Sequence, residues 1–170
     1  MEAIGKLFAD NQADTQKQLQ NKTYQVDNAI VIFYDYTKSN SYISILNKAN
    51  DLGLKQIIIT PYKFSNVIKF LSESKFKVKT MEFDPPLETE KQNNFNKVLS
   101  ENLTKKSYDE ITKEIYYYND EYNSIPRKMS FLSDKGNRYS LFNNGIIYFE
   151  EEKGIQDLNS FLLYLSGGST

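Results

Sequence analysis

The chain has 170 residues, a formal net charge of −1, and neither cysteine nor histidine. That length suits one domain able to bury roughly two-thirds of its unfolded surface without disulfide bonds. The two missing residue types exclude thiol nucleophiles, Ser-His-Asp triads, imidazole bases, zinc sites built from Cys or His, and the usual haem ligation. The chemistry left open rests on carboxylates, lysines, hydroxyls and the backbone.

Charge and hydropathy bound the location and the partners. Residues 1–20 lack the basic start and apolar core of a signal peptide, and no apolar run reaches the length of a membrane span. We therefore expect a cytoplasmic protein without a membrane partner. Residues 36–80 hold eight lysines against two acidic residues, and residues 81–125 hold five lysines against ten. This asymmetry is typical of a basic and an acidic layer that partly neutralise each other within the fold. The alternative is a surface with two charged parts, in which the basic part binds phosphate or the acidic part binds a basic protein.

The N-terminal segment, residues 1–28, predicts a helix followed by a less regular arm. Ala3, Ile4, Leu7 and Phe8 form a short helical stripe, after which the sequence becomes polar and glutamine-rich. We expect one helix docked on the protein's own sheet. The alternative is an arm that becomes ordered on a partner.

Residues 29–84 predict a βαβαβ half. A continuously apolar strand at 29–34 is followed by an amphipathic helix at 42–52 and a second apolar strand at 57–60. Because neither strand alternates with polar residues, both are expected to be interior strands of a parallel sheet covered on two faces.

The end of this half predicts an edge strand. Ser65 is expected to cap a second helix, and lysines alternate with apolar residues in the following strand, 76–83. Lysine on an edge strand discourages pairing with another molecule. With right-handed crossovers, the three strands give a Rossmann-like parallel core in the order 3-2-1.

Residues 85–170 predict a helical pair, an antiparallel meander and a final helix. Capping boxes at Thr89 and Ser107 open the two helices, and Asn144-Gly145 is a strong hairpin signal. The expected elements are helices at 89–104, 107–123 and 155–165 and strands at 129–132, 138–142 and 146–149. The whole chain, residues 1–170, is thus predicted to be a single α/β domain.

One candidate site follows from the parallel sheet. The carboxyl ends of its strands would bring Asp35, Asp84 and Lys63 together. Two carboxylates and a lysine could hold Mg²⁺ and a phosphate group, which makes a magnesium-dependent phosphoesterase or nuclease an alternative function. No glycine-rich phosphate loop follows either strand, so nucleotide binding of the Rossmann or P-loop kind has no support.

A second alternative is nucleic-acid binding through the lysines of residues 63–79. Lys63, Lys75, Lys77 and Lys79 form the cationic part of the chain. Binding through them predicts a steep loss of affinity with salt. Only two arginines are present, Arg127 and Arg138, which weakens this alternative because arginine makes the commonest base contact.

The leading prediction is a non-catalytic accessory or inhibitor protein that binds another protein and needs no cofactor. Its candidate surface is the acidic, tyrosine-rich helix at 107–123, with Tyr117, Asp120 and Glu121 directed outward. Tyrosine is enriched at protein interfaces. The small, motif-poor, Lys/Asn/Tyr-rich chain would suit an AT-rich bacterium, its phage or another mobile element.

Overall fold

The computed structural model describes residues 2–10, 19, 21–101, 104–150 and 152–167. The chain forms two compact units, the first made of Met1–Ile58 with Asn144–Thr170 and the second of Ile59–Asn143. None of the helices in the described ranges has the length and apolarity that a membrane crossing requires.

Three strands open the described part of the chain, and helices and strands are interspersed after them. The strands are β1 Ala3–Ala9, β2 Thr23–Val26, β3 Ala29–Phe33, β4 Lys55–Gln56, β5 Lys77–Asp84, β6 Ile125–Leu132, β7 Arg138–Phe142 and β8 Ile146–Phe149. The helices are α1 Ser41–Asp51, α2 Pro61–Glu73, α3 Thr89–Ser100, α4 Lys105–Tyr122 and α5 Asn159–Ser166, the last preceded by a 3-10 helix, Glu152–Leu158.

The sheet of the first unit is antiparallel throughout. Its strand order is β2-β3-β1-β8, and the short β4 also pairs with β1. Residues 3–6 of β1 pair with β8, whereas Phe8 and Ala9 pair with β4. Because β3 occupies the other side of β1, the strands β8 and β4 lie one after the other along the same side. The predicted Rossmann-like parallel core of order 3-2-1 is therefore wrong.

The N-terminal stripe forms a strand instead of the predicted helix. Gly5 and Lys6 of β1 are buried, as are Leu7 and Phe8. A Cβ atom on Gly5 would overlap the side chain of Val31 on β3, so glycine is what permits this close approach. Glycine and lysine break an apolar run in sequence, which conceals a strand that is buried on both faces. Most of the predicted arm, at 11–18 and 20, lies outside the described residues.

Helices cover both faces of the first unit's sheet. On one face Ile45 and Ala49 of α1 pack against Phe8, Ile30 and Ile32. On the other face α5 packs against β2 and β3. The apolar strand predicted at 29–34 is confirmed as a buried strand, although its partners β1 and β2 run antiparallel to it.

The second predicted interior strand, at 57–60, is wrong. The strand at this place is the two-residue β4, and residues 57–60 belong to no strand. Ile57 and Ile59 are buried but Ile58 is exposed. The next helix begins at Pro61, before the predicted cap at Ser65, because the Thr60 hydroxyl caps it by accepting from the N–H of Lys63 at 3.2 Å.

In the second unit, β5, β6 and β7 form an antiparallel ladder with β5 at its end, which confirms the predicted edge strand. Two side chains of α3 form hydrogen bonds with the backbone of this edge strand. The N–H of Met81 donates to Asn96 Oδ1 at 2.8 Å, and its carbonyl accepts from Gln92 Nε2 at 2.6 Å. These bonds occupy backbone groups that an edge strand would otherwise offer to another chain.

The remaining C-terminal predictions are largely confirmed. The two helices, the three strands and the final helix are all present, with β6 longer than predicted. The caps differ, since α3 follows Glu88 without a side-chain cap and the capping box of α4 joins Thr104 to Ser107. Helix α4 packs its face of Ile111, Ile115 and Tyr118 into the core.

Candidate functional site

Two tyrosines project from the C-terminal end of α4. Tyr117 is 51% exposed and Tyr122 is 46% exposed. Their ring centroids lie 5.6 Å apart in an edge-to-face arrangement, and their hydroxyl oxygens are 3.4 Å apart. The hydrogen bond between them lowers the pKa of Tyr122 and raises that of Tyr117. Together with the exposed Asp120 and Glu121, these residues form what we call the tyrosine–acid face.

A small cleft borders the tyrosine–acid face. It has a volume of about 200 Å³ and lies between Tyr122 and the turn that contains Pro85 and Pro86. Lys91 places its Nζ 4.7 Å from the ring centroid of Tyr122 and 3.3 Å from Glu88 Oε2. The bond to Glu88 is the main reason that the pKa of Lys91 is raised.

The acidic residues of this face oppose the helix dipole. Asp120 and Glu121 stand in the last turn of α4, where no basic residue is present. Negative charge at a helix C-terminus costs about 0.3–1 kcal/mol at an exposed position. A positive group on a partner would relieve this repulsion.

The loop after β3 lines a cavity in the first unit. Asp35 Oδ1 accepts hydrogen bonds from the N–H and the hydroxyl of Thr37, at 3.0 and 2.6 Å, and Oδ2 lies 3.5 Å from Lys38 Nζ. The bonds from Thr37 are the main cause of the lowered pKa of Asp35. The cavity, which we call the Asp35-loop cavity, has a volume of about 560 Å³, and its lining includes Glu2, Lys22, Phe33, Asp35, Tyr36 and Lys38.

A buried lysine is the functional group that the sequence interpretation missed. Lys6 is completely buried, and its Nζ donates to the carbonyl oxygens of Ile57, at 3.1 Å, and Asn144. The same nitrogen lies 5.6 Å from the ring centroid of Phe8. Burial lowers the pKa of Lys6 to about 8. The one signal in the sequence was that apolar residues flank this lysine. A lysine in such a pattern more often lies on the surface of a helix, so the signal was not specific.

The structure removes the argument on which the predicted metal site was based. Asp35 follows β3 in the first unit, whereas Asp84 ends β5 and Lys63 lies in the first turn of α2 in the second. The argument that joined them required parallel strands, and both strands pair antiparallel. Within the described ranges no three acidic side chains are grouped as a metal ion would require. Magnesium-dependent catalysis at these residues stays a prediction.

Three of the four lysines of the predicted cationic patch lie close together in the sequence around the start of β5. Lys75 and Lys77 are exposed at the start of the edge strand, and Lys79 is half-buried at an irregularity of the β5–β6 register. Lys63 lies near the start of α2, and Lys75 follows the end of that 13-residue helix. A helix of that length spans roughly 20 Å, so Lys63 does not join the other three. Nucleic-acid binding stays a prediction that rests on Lys75, Lys77 and Lys79.

No protein-family model, curated protein or solved structure matches the chain.

Proposed function

We propose that the protein is a non-catalytic binding protein and that its tyrosine–acid face docks on a basic surface of another protein. The observation that carries this proposal is the pair Tyr117 and Tyr122, two half-exposed aromatic rings in contact with each other on an acidic helix end. Paired tyrosines offer a large, amphipathic contact area at a low cost in side-chain entropy.

The charge of the face supports a basic partner. Exposed residues recur at Glu110, Glu114, Tyr117 and Glu121, so one stripe of α4 carries acidic groups on both sides of the tyrosine. An arginine or lysine of a partner would meet both the carboxylates and the electron-rich face of a tyrosine ring. Complementary charge of this kind raises the rate of association and selects the partner.

Stability and binding should respond in opposite directions to one variant. Charge reversal by Asp120→Lys and Glu121→Lys is expected to raise the free energy of unfolding by about 0.5–1 kcal/mol, because it places positive charge at a helix C-terminus. The same variant should lose the basic partner. A loss of binding in a protein that has become more stable cannot be attributed to unfolding.

The experiment starts with capture from a lysate of the source organism by the wild-type protein and by two variants. One variant is the charge reversal, and the other combines Tyr117→Ser with Asp120→Asn. Tyr62→Ser is the matched control, because Tyr62 is an exposed helical tyrosine of the same unit, 64% accessible. Proteins retained by the wild type and the control are then purified, whether or not the variants retain them, for calorimetry.

With the purified partner, each variant is expected to raise Kd about 30-fold or more, the effect of losing a central interface residue. Raising the salt concentration should slow association. Equal binding of one partner by wild type, charge reversal and tyrosine variant would exclude the face, and a partner with an acidic contact surface would contradict the charge argument.

A further inference from the structure

The sheet of the second unit is covered by helices on one of its faces. Phe83 on that face packs edge-to-face against Phe95 of α3 and Tyr118 of α4. The covered face is made of buried side chains, among them Val78, Met81, Phe83, Met129, Phe131, Tyr139 and Leu141. The residues that alternate with them along β5, β6 and β7 are exposed or half-buried, apart from Ser140. An antiparallel sheet commonly leaves one face to solvent in this way.

The register of the three strands arranges this second face, which we call the open sheet face, in three rows. The first row is Glu82, Lys128 and Phe142, the second is Thr80, Ser130 and Ser140, and the third is Lys77, Leu132 and Arg138. The middle row carries only small hydroxyl side chains, and those of Ser130 and Ser140 bond to each other at 3.0 Å. The middle row therefore forms the floor of a shallow groove. The rows on its two sides are four residues apart along β6, which is roughly 13 Å.

The first row presents an aromatic ring with little net charge around it. Phe142 is half-buried, and Lys128 Nζ lies 5.9 Å from the centroid of its ring. The same ammonium group is held by Glu82, whose Oε1 is 2.9 Å away. The charges of Lys128 and Glu82 offset each other, so this side of the groove offers mainly the surface of the ring.

The third row is positively charged. Lys77 and Arg138 are both exposed, and neither forms an ion pair with a residue in the described ranges. Lys75 and Lys79 add positive charge at the same end of β5. The turn between β6 and β7 contributes one acidic and one basic residue, so it does not change this balance. A surface with this charge attracts a polyanion.

We propose that the open sheet face binds single-stranded nucleic acid. The phosphates lie beside Lys77 and Arg138, the bound strand crosses the hydroxyl floor, and one base contacts the ring of Phe142. In other folds, a basic surface combined with aromatic rings binds single strands, and an antiparallel sheet can serve as the platform. A double helix keeps its bases inside, so it would use the cationic row alone. The tyrosine–acid face takes no part in this site, and the two proposals can fail separately.

Fluorescence anisotropy with labelled probes of equal length tests whether both phosphates and bases are recognised. The probes are oligothymidylate, oligouridylate, a DNA duplex, and an abasic strand that has the same number of phosphates. We expect binding of at least one of the two single strands at low salt. The duplex and the abasic strand should bind at least about fivefold more weakly, which is the effect of losing one stacked base.

Variants assign the two contributions to residues. Lys77→Gln/Arg138→Gln should weaken binding and reduce the slope of log K against log salt concentration by about 1.4, because two phosphate contacts are lost. Phe142→Leu keeps an apolar side chain but removes the ring, so it should weaken binding at least about fivefold and leave the slope unchanged. Lys69→Gln/Lys97→Gln is the matched control, because it removes two exposed lysines from α2 and α3 of the same unit, and it should bind as the wild type does.

Three results would overturn the proposal. The first is the absence of binding by both single strands at low salt. The second is equally tight binding of the duplex, the abasic strand or polyglutamate, which would show attraction to negative charge alone. The third is an equal loss of affinity in the control variant, or unchanged affinity in either variant of the open sheet face. Circular dichroism and thermal unfolding of every variant separate a loss of binding from a loss of the fold.

Discussion

Lys6 makes the stability of the protein depend on pH in a direction that can be calculated. Its ammonium group is fully buried and is bonded to two backbone carbonyls. Burial lowers its pKa from 10.5 to about 8. A decrease of that size means that a protonated Lys6 destabilises the folded state, relative to the unfolded chain, by about 3 kcal/mol.

The sign follows from proton counting. Below pH 8, Lys6 is protonated in both the folded and the unfolded chain, so its destabilising effect is complete. Above pH 8 the folded protein releases this proton while the unfolded chain keeps it, and the free energy of unfolding therefore rises with pH. Between pH 7 and 9.5 the rise attributable to Lys6 is about 2 kcal/mol.

Urea unfolding at a series of pH values, followed by circular dichroism, measures this rise. The window stops at pH 9.5 because Tyr34 and Tyr148, whose pKa values are raised to about 12, destabilise the folded state when unfolded tyrosines ionise near pH 10. The quantity to examine is the difference between the wild type and Lys6→Met, in which the other titrations cancel.

This difference should increase by about 2 kcal/mol from pH 7 to 9.5 in favour of the wild type. Lys6→Met also leaves the carbonyls of Ile57 and Asn144 without their donor, so its absolute effect at one pH combines two opposing contributions. Lys97→Met, at an exposed position of α3, controls for the loss of one positive charge. Parallel pH profiles of the wild type and Lys6→Met would refute a buried, titrating lysine.

Two further predictions concern close packing and the sheet edge. Gly145→Ala should destabilise the protein by about 3 kcal/mol or more in thermal or urea unfolding, because a Cβ atom at this position would overlap the Ile57 carbonyl. Gly136 has a similar positive φ but open space around it, so Gly136→Ala should cost only about 1 kcal/mol. Equal losses of stability in the two variants would contradict the steric explanation. Gln92→Ala and Asn96→Ala should each lower the free energy of unfolding by about 1–2 kcal/mol, because each leaves a backbone group of β5 without its hydrogen bond. Size-exclusion chromatography should show more self-association in the double variant. Unchanged stability and a monodisperse profile would show that this edge strand needs no protection.

Local signals predicted the elements from residue 76 onward well. The apolar spacing of α4, the Asn144-Gly145 turn and the alternating lysines of β5 each act over a few residues, and each produces the expected helix, turn or edge strand. Tyr117, Asp120 and Glu121 were expected to be exposed for the same reason, because the opposite side of α4 carries its apolar stripe.

The direction and order of the strands could not be found in the same way. A strand that is apolar on both faces indicates burial, and the interior strand β3 is buried in an antiparallel sheet as fully as it would be in a parallel one. The decisive strand is β1, whose Gly5 and Lys6 conceal it in the sequence. Once β1 lies beside β3, the parallel crossover is no longer needed, and the expectation that Asp35 and Asp84 share a strand-end site loses its basis.

The contacts around Tyr122 decide which part of the tyrosine–acid face is left to a partner. Lys91 already lies over the Tyr122 ring and pairs with Glu88, so the chain itself supplies a cation at this ring. The exposed Tyr117, Asp120 and Glu121 lie on the same helix end. In the proposed docking, a basic group of the partner would therefore meet Tyr117 and the two carboxylates, whereas the ring of Tyr122 would add apolar contact area.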